Sequence, residues 1–180
     1  MNILLWLAVG AFLILAGTYN RVINLKHRVD NAWAQIDVQL KRRADLVPNL
    51  VEAVKGYVRH ERQTLEAVTE ARARVARGGS VGDQAQANNM LSEALRTVFA
   101  VAESYPQLKA DRNFLMLQEE LSGIENKIAY ARQYYNDSVL GLNAATERFP
   151  TNLVAGLFGI KRRDYFEVQA ADREPVRVQF

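Results

Sequence analysis

The stretch Phe114 to Tyr135, FLMLQEELSGIENKIAYARQYY, decides the fold class. Phe114, Leu117, Leu121, Ile124, Ile128, Ala131 and Tyr135 alternate at steps of three and four. That spacing gathers them on one face of an α-helix and would scatter them over both faces of a strand. Glu119, Glu120, Glu125 and Lys127 lie off the stripe. The alternation persists over three heptad steps, so it predicts a long amphipathic helix packed against other helices.

Working back towards the N-terminus, Tyr105-Pro106 ends an earlier helix, because the residue before a proline is steered out of the α region. Its buried face is expected at Ala87, Met90 or Leu91, Ala94, Val98, and Val101 or Ala102. Arg77-Gly78-Gly79-Ser80-Val81-Gly82 reads as a loop, and Asp83 with Gln86 as the capping box that opens this helix. Before the loop, Leu50, Val54, Val58, Leu65, Val68 and Val75 supply another stripe. Asp45 can cap that helix with Pro48 in its first turn, where a missing N–H costs little; alternatively Pro48 kinks one longer helix. A first stripe, Val22, Leu25, Val29, Trp33, Ile36 and Leu40, runs up to the three cations Lys41, Arg42 and Arg43. Positive charge suits a helix C-terminus, and it also offers an acidic protein partner a contact.

The N-terminal residues differ from everything that follows. Between Met1 and Asn20 there is no charged side chain, and Ile3 to Tyr19 is apolar apart from Thr18. Those positions extend roughly 26 Å as a helix, close to the ~30 Å of a bilayer core. Trp6 and Tyr19 suit the two interfaces, and Arg21, Lys26 and Arg28 follow the run, which predicts a cytoplasmic body and an outside N-terminus. A cleaved signal peptide is the competing reading, but no Lys or Arg precedes the run and no small-x-small site follows it.

The expectation is therefore an all-α chain, an N-terminal transmembrane helix continuing into an antiparallel, up-and-down four-helix bundle. Residues 1–20 form the anchor, 21–148 the bundle and 149–180 a C-terminal apolar and basic tail. In such a bundle the fourth helix returns towards the membrane. There Leu157 and Phe158, with Lys161, Arg162 and Arg163, would contact lipid, or the apolar residues would close the end of the core instead. Were Pro48 only a kink, the parity would change and the tail would lie far from the bilayer.

Composition narrows the chemistry. The 180 residues are 49% hydrophobic and 24% charged, and 23 Lys and Arg against 20 Asp and Glu leave a formal charge of +3. That mild excess permits anionic lipid or nucleic acid without requiring either. The absence of cysteine removes disulfides, thiolate metal sites and cysteine nucleophiles. A di-iron bundle needs Glu-x-x-His pairs, yet the residues three before His27 and His60 are Asn24 and Tyr57. His60-Glu61 starts a zinc motif that fails at Thr64, where the second histidine must stand. The glycine loop lacks the Lys-Ser/Thr ending of a phosphate loop. Glu119, Glu120 and Glu125 read as solvated or paired charges, and Tyr130, Tyr134 and Tyr135 as core and core border rather than a nucleic-acid platform. No catalytic, cofactor-binding or metal-binding residue is assigned.

Arg28 to Glu52, RVDNAWAQIDVQLKRRADLVPNLVE, closely resembles the signature of the LemA family. Leu108-Lys109-Ala110, Leu117 to Leu121, Glu125-Asn126 and Ala131 to Asp137 also resemble it. So do Phe149-Pro150, Asn152 to Gly159 and Tyr165-Phe166-Glu167. The resemblance implies a bacterial-type inner (cytoplasmic) membrane protein with one N-terminal membrane helix, a short outside N-terminus and a cytoplasmic helical bundle. It brings no established activity, and a relative associated with magnetosome membranes points to membrane organisation. The functional expectation is a non-enzymatic scaffold on the lipid bilayer, self-associating as a homo-oligomer. The alternative is a signalling or stress-response adaptor for an unidentified protein partner. No nucleic acid and no cofactor are expected.

Overall fold

The structure, a computed structural model, describes residues 2–57 and 61–167. Val58 of the second stripe, His60 of the broken zinc motif and residues 168–180 of the tail lie outside the described residues. Among those described, all regular structure is helical: α1 (Asn2–Lys55), α2 (Arg62–Arg77), α3 (Val81–Ala102), α4 (Pro106–Lys109), α5 (Arg112–Glu147) and α6 (Thr151–Leu157). Two compact units share these elements. The first takes in Met1–Ile36 and Ala131–Tyr165, the second Asp37–Tyr130 and Phe166–Phe180.

α1 runs well past the stop that its sequence suggests. It does not stop at Lys41-Arg42-Arg43, and Asp45 does not cap a new helix; Pro48 lies inside α1, which continues to Lys55. The apolar stripe carries straight on through Ala44, Val47, Leu50 and Val54, all buried in the second unit. A proline inside a helix removes the N–H that would bond to the carbonyl four residues earlier, here that of Ala44. Arg72 of α2 fills the vacancy, its Nε donating to the Ala44 carbonyl oxygen at 3.0 Å. The helix boundary expected near Pro48 comes later, with α1 ending at Lys55 and α2 beginning at Arg62.

The capping box of α3 is also displaced. Ser80, not Asp83, is the N-cap: its hydroxyl accepts from the Asp83 backbone N–H at 3.2 Å, and the Asp83 carboxylate accepts from the Ser80 N–H at 3.0 Å. Gly78 and Gly79 bring the chain round at φ 73° and 137°, a region that side chains rarely adopt. Gln84, buried in the first turn of α3, donates from Nε2 to the Val75 carbonyl near the end of α2, satisfying one of the carbonyls that a helix C-terminus leaves open.

Five positions of the stripe from Phe114 to Tyr135 are buried, and Leu117 and Ala131 are half-buried. Phe114, Leu121, Ile124 and Ile128 enter the core of the second unit with Leu91, Leu95 and Val98 of α3 and Val68 and Val75 of α2. Phe99 and Phe114 meet edge to face at 6.1 Å, a favoured aromatic geometry. Asp111 accepts from the Asn113 and Phe114 N–H groups where α5 begins, and from the Tyr57 hydroxyl at 3.0 Å.

In the first unit, Val22, Val29, Ala32 and Ile36 of α1 are buried, as are Tyr135, Val139 and Leu142 of α5 and Val154 and Ala155 of α6. Trp33 and Tyr135 are 5.6 Å apart, ring to ring. The chain after α6 is tied to α5: the Tyr135 hydroxyl donates to the Asp164 carbonyl at 2.9 Å, and Asn143 both donates to the Arg163 carbonyl and accepts from its N–H.

Candidate functional site

The first candidate surface is the apolar end of α1. A helix inside a soluble core hides its large side chains; here Ile3, Leu4, Trp6, Phe12 and Ile14 stand at least 65% exposed. Ile3–Lys55 contains a window long and apolar enough to cross a membrane, and none of that window is buried in the chain. Trp6 is 72% exposed, and Arg21, just past the run, is exposed as well. Tyr19 is half-buried.

Tyr19 owes its cover to the tail, since its ring lies 4.5 Å from that of Phe158. Although Pro48 lies inside α1, a later helix boundary, with α1 ending at Lys55 and α2 beginning at Arg62, keeps the number of long helices expected. α6 divides the two roles expected of its apolar residues. Val154 and Ala155 pack inward, while Leu153, Leu157 and Phe158 face out, with Phe149 just ahead of them.

The basic cluster after α6 does not act as three equal cations. Arg162 pairs with Glu147 at 2.7 Å and Arg163 with Asp30 at 3.0 Å, while Lys161 is exposed. Two of the three cations thus each face a carboxylate within the first unit.

Lys41, Arg42 and Arg43 likewise meet carboxylates rather than forming an open cationic tip. Lys41 pairs with Asp37 one turn away and Arg42 with Glu120. Arg43 is 3% exposed, with Nη1 at 2.6 Å from Glu125 Oε2, 2.9 Å from Asn88 Oδ1 and 3.0 Å from Ser92 Oγ. Burial pushes its guanidinium below the usual arginine range, and Glu125 acts in the opposite sense. Arg43 therefore belongs to the core of the second unit.

Sequence reading missed an open groove of about 1010 Å³ between the C-terminal part of α1 and α2. Val47, Val51, Leu65 and Ala73 give it an apolar surface. Glu52 and Lys55 pair along one side, Arg62 and Glu66 along the other. The only forewarning in the sequence is that Val51 and Leu65 are apolar positions near a turn.

Among the described residues, no three His, Cys, Asp or Glu side chains come together to hold a metal ion. Tyr57 and Asp111 hold each other in their neutral and ionised forms: the hydrogen bond to the carboxylate raises the phenol, while the Phe114 N–H and the Tyr57 hydroxyl lower the carboxyl. Asp83 is lowered by its bonds to Ser80, and Tyr135 is raised chiefly by burial. Each shift follows from a bond that ends a helix or from packing, and none of these groups lines the groove.

Comparison with known proteins adds three relatives and one family. The chain is 23% identical to magnetosome protein MamQ 2 of Paramagnetospirillum magneticum, across 94% of this chain and 72% of that one. It is 22% identical to magnetosome protein MamQ of Magnetospirillum gryphiswaldense, across 88% and 68% respectively. Protein LemA of Metamycoplasma hominis is 26% identical over 94% of this chain and 78% of its own length. A family model, that of the LemA family, matches residues 32–180.

Proposed function

Because the chain belongs to the LemA family, we propose that it is a single-pass, membrane-anchored helical scaffold that self-associates as a homo-oligomer at the cytoplasmic face and performs no catalysis. In this reading Ile3 to Tyr19 spans the bilayer with Trp6 and Tyr19 at its two interfaces, and Arg21 marks the cytoplasmic side by the positive-inside rule. The second unit is an up-and-down four-helix bundle made from the C-terminal part of α1, α2, α3 and the N-terminal part of α5. The observation that carries the proposal is the exposure of every large apolar side chain from Ile3 to Leu15 on a helix continuous with a well-packed body. Water penalises that surface heavily, and a bilayer does not. Likeness to two magnetosome proteins supports a role in membrane organisation.

The groove between α1 and α2 favours a second reading, an adaptor that receives a segment of a cytoplasmic protein. In-cell crosslinking followed by gentle solubilisation and native mass measurement separates the two. An assembly of this chain alone is the expected result; a stoichiometric second protein would establish the adaptor, and a monodisperse monomer would overturn self-association. Recovery of the full-length protein in the soluble fraction would overturn the anchor.

A further inference from the structure

We propose that α6 is a second membrane contact, in which Leu153, Leu157 and Phe158 enter the interfacial layer of the same bilayer that α1 spans. This rests on the membrane reading of α1 and identifies the partner of the tail. The short helix is two-sided: Val154 and Ala155 are buried in the first unit, whereas Leu153 is 63%, Leu157 73% and Phe158 50% exposed. Leu153 and Leu157 are one turn apart and share a face.

What covers that face follows from where it is held. Tyr19 is the last residue of the apolar run, so it lies at the boundary of whatever bilayer the run occupies. Phe158 is within 4.5 Å of it, ring to ring. The Asn143 clamp on Arg163 and the Arg163–Asp30 ion pair fix the chain just beyond. The outward leucines are thus presented at the depth where acyl chains begin. With Arg162 and Arg163 matched by Glu147 and Asp30, apolar insertion dominates, and Lys161 and Arg21 are left to meet head groups.

The absence of cysteine allows single nitroxide labels on the full chain, reconstituted into phosphatidylcholine vesicles containing phosphatidylglycerol. Leu157→Cys and Leu153→Cys report on α6, Phe12→Cys on the span and Glu119→Cys on an exposed position of α5; all four native side chains are exposed. Collision rates with oxygen and with a water-soluble nickel chelate are then compared. The expected result is that both α6 labels shift from the nickel-favoured ratio of the Glu119 label towards the oxygen-favoured ratio of the Phe12 label. Ratios equal to that of the Glu119 label would overturn the proposal and leave the anchor intact. Protection from both reagents together with spin–spin broadening would overturn it in favour of a second copy of this chain. A Phe12 label as accessible to nickel as the Glu119 label would overturn the anchor and the α6 contact together.

Discussion

Arg72 donates from Nε to the carbonyl oxygen of Ala44 across 3.0 Å, and that carbonyl is the one Pro48 leaves without an intrahelical donor. Replacing Arg72 by Leu keeps much of the apolar stem and removes the bond, at a cost of about 1 kcal/mol in denaturant unfolding. In a Pro48→Ala background the helix supplies its own N–H to Ala44, and the same replacement then costs roughly half as much or less. A double-mutant cycle reads this coupling; strict additivity would show that the Arg72 bond does not compensate for the N–H that Pro48 lacks.

Arg43 makes a different demand on its neighbours, because a guanidinium buried this deeply needs an anion. Glu125→Gln leaves that charge with only Asn88 and Ser92. Breaking a fully buried pair costs about 3–5 kcal/mol; Glu125 is half-exposed, so water softens the loss to about 2 kcal/mol. Equilibrium unfolding of Glu125→Gln checks the value. Glu120→Gln, which breaks only the exposed pair with Arg42, serves as the contrast and changes stability by under about 1 kcal/mol.

Asn143 holds the tail through two hydrogen bonds to the backbone of Arg163. Asn143→Ala removes both, about 2 kcal/mol of local stability at about 1 kcal/mol per bond. Trypsin should then cut after Lys161 and Arg162 several-fold faster, while sites within α5 keep their original rate.

Asp83 and Asp111 are both lowered below the ordinary carboxyl range, the first by Ser80 and the second by the Phe114 N–H and Tyr57. A depressed folded-state value means the unfolded chain binds protons more readily, so their stabilisation is complete above the ordinary value of about 3.9 and disappears as the pH falls through the lowered ones. Thermal unfolding followed down through that window should show a falling midpoint. The Asp83→Asn, Asp111→Asn double variant should start lower and fall less steeply.

How legible these features were in the sequence depended on how local their causes are. The stripe from Phe114 to Tyr135 needed only its own spacing, and its principal positions are buried. The end of α1 could not be read that way. Lys41-Arg42-Arg43 and Pro48 each look like a stop, and each is tolerated because of residues far along the chain: Asn88 and Ser92 at separations of 45 and 49, and Arg72, 28 residues beyond Ala44. The α3 cap was within reach, since Ser80-Val81-Gly82-Asp83 has the Ser-x-x-Asp spacing of a capping box. The candidate surfaces divided along the same line. Exposure of the span follows from its composition, whereas the neutralisation of Arg162 and Arg163 depends on Glu147 and Asp30, which no local pattern links to them.

The bond from Arg163 to Asp30 joins positions 133 residues apart, and that separation imposes an order of events during synthesis. At about 5–20 residues per second, roughly 7 to 27 s pass between the emergence of the two residues from the ribosome. For most of that interval Val22, Val29, Ala32 and Ile36 wait for Tyr135, Val139 and Leu142, and to its end for the chain beyond α6. The second unit, drawn almost wholly from the unbroken stretch Asp37–Tyr130, faces no such delay. The newborn chain thus has its apolar N-terminal run first, its contiguous helical core next, and the closure of the first unit only when the tail arrives.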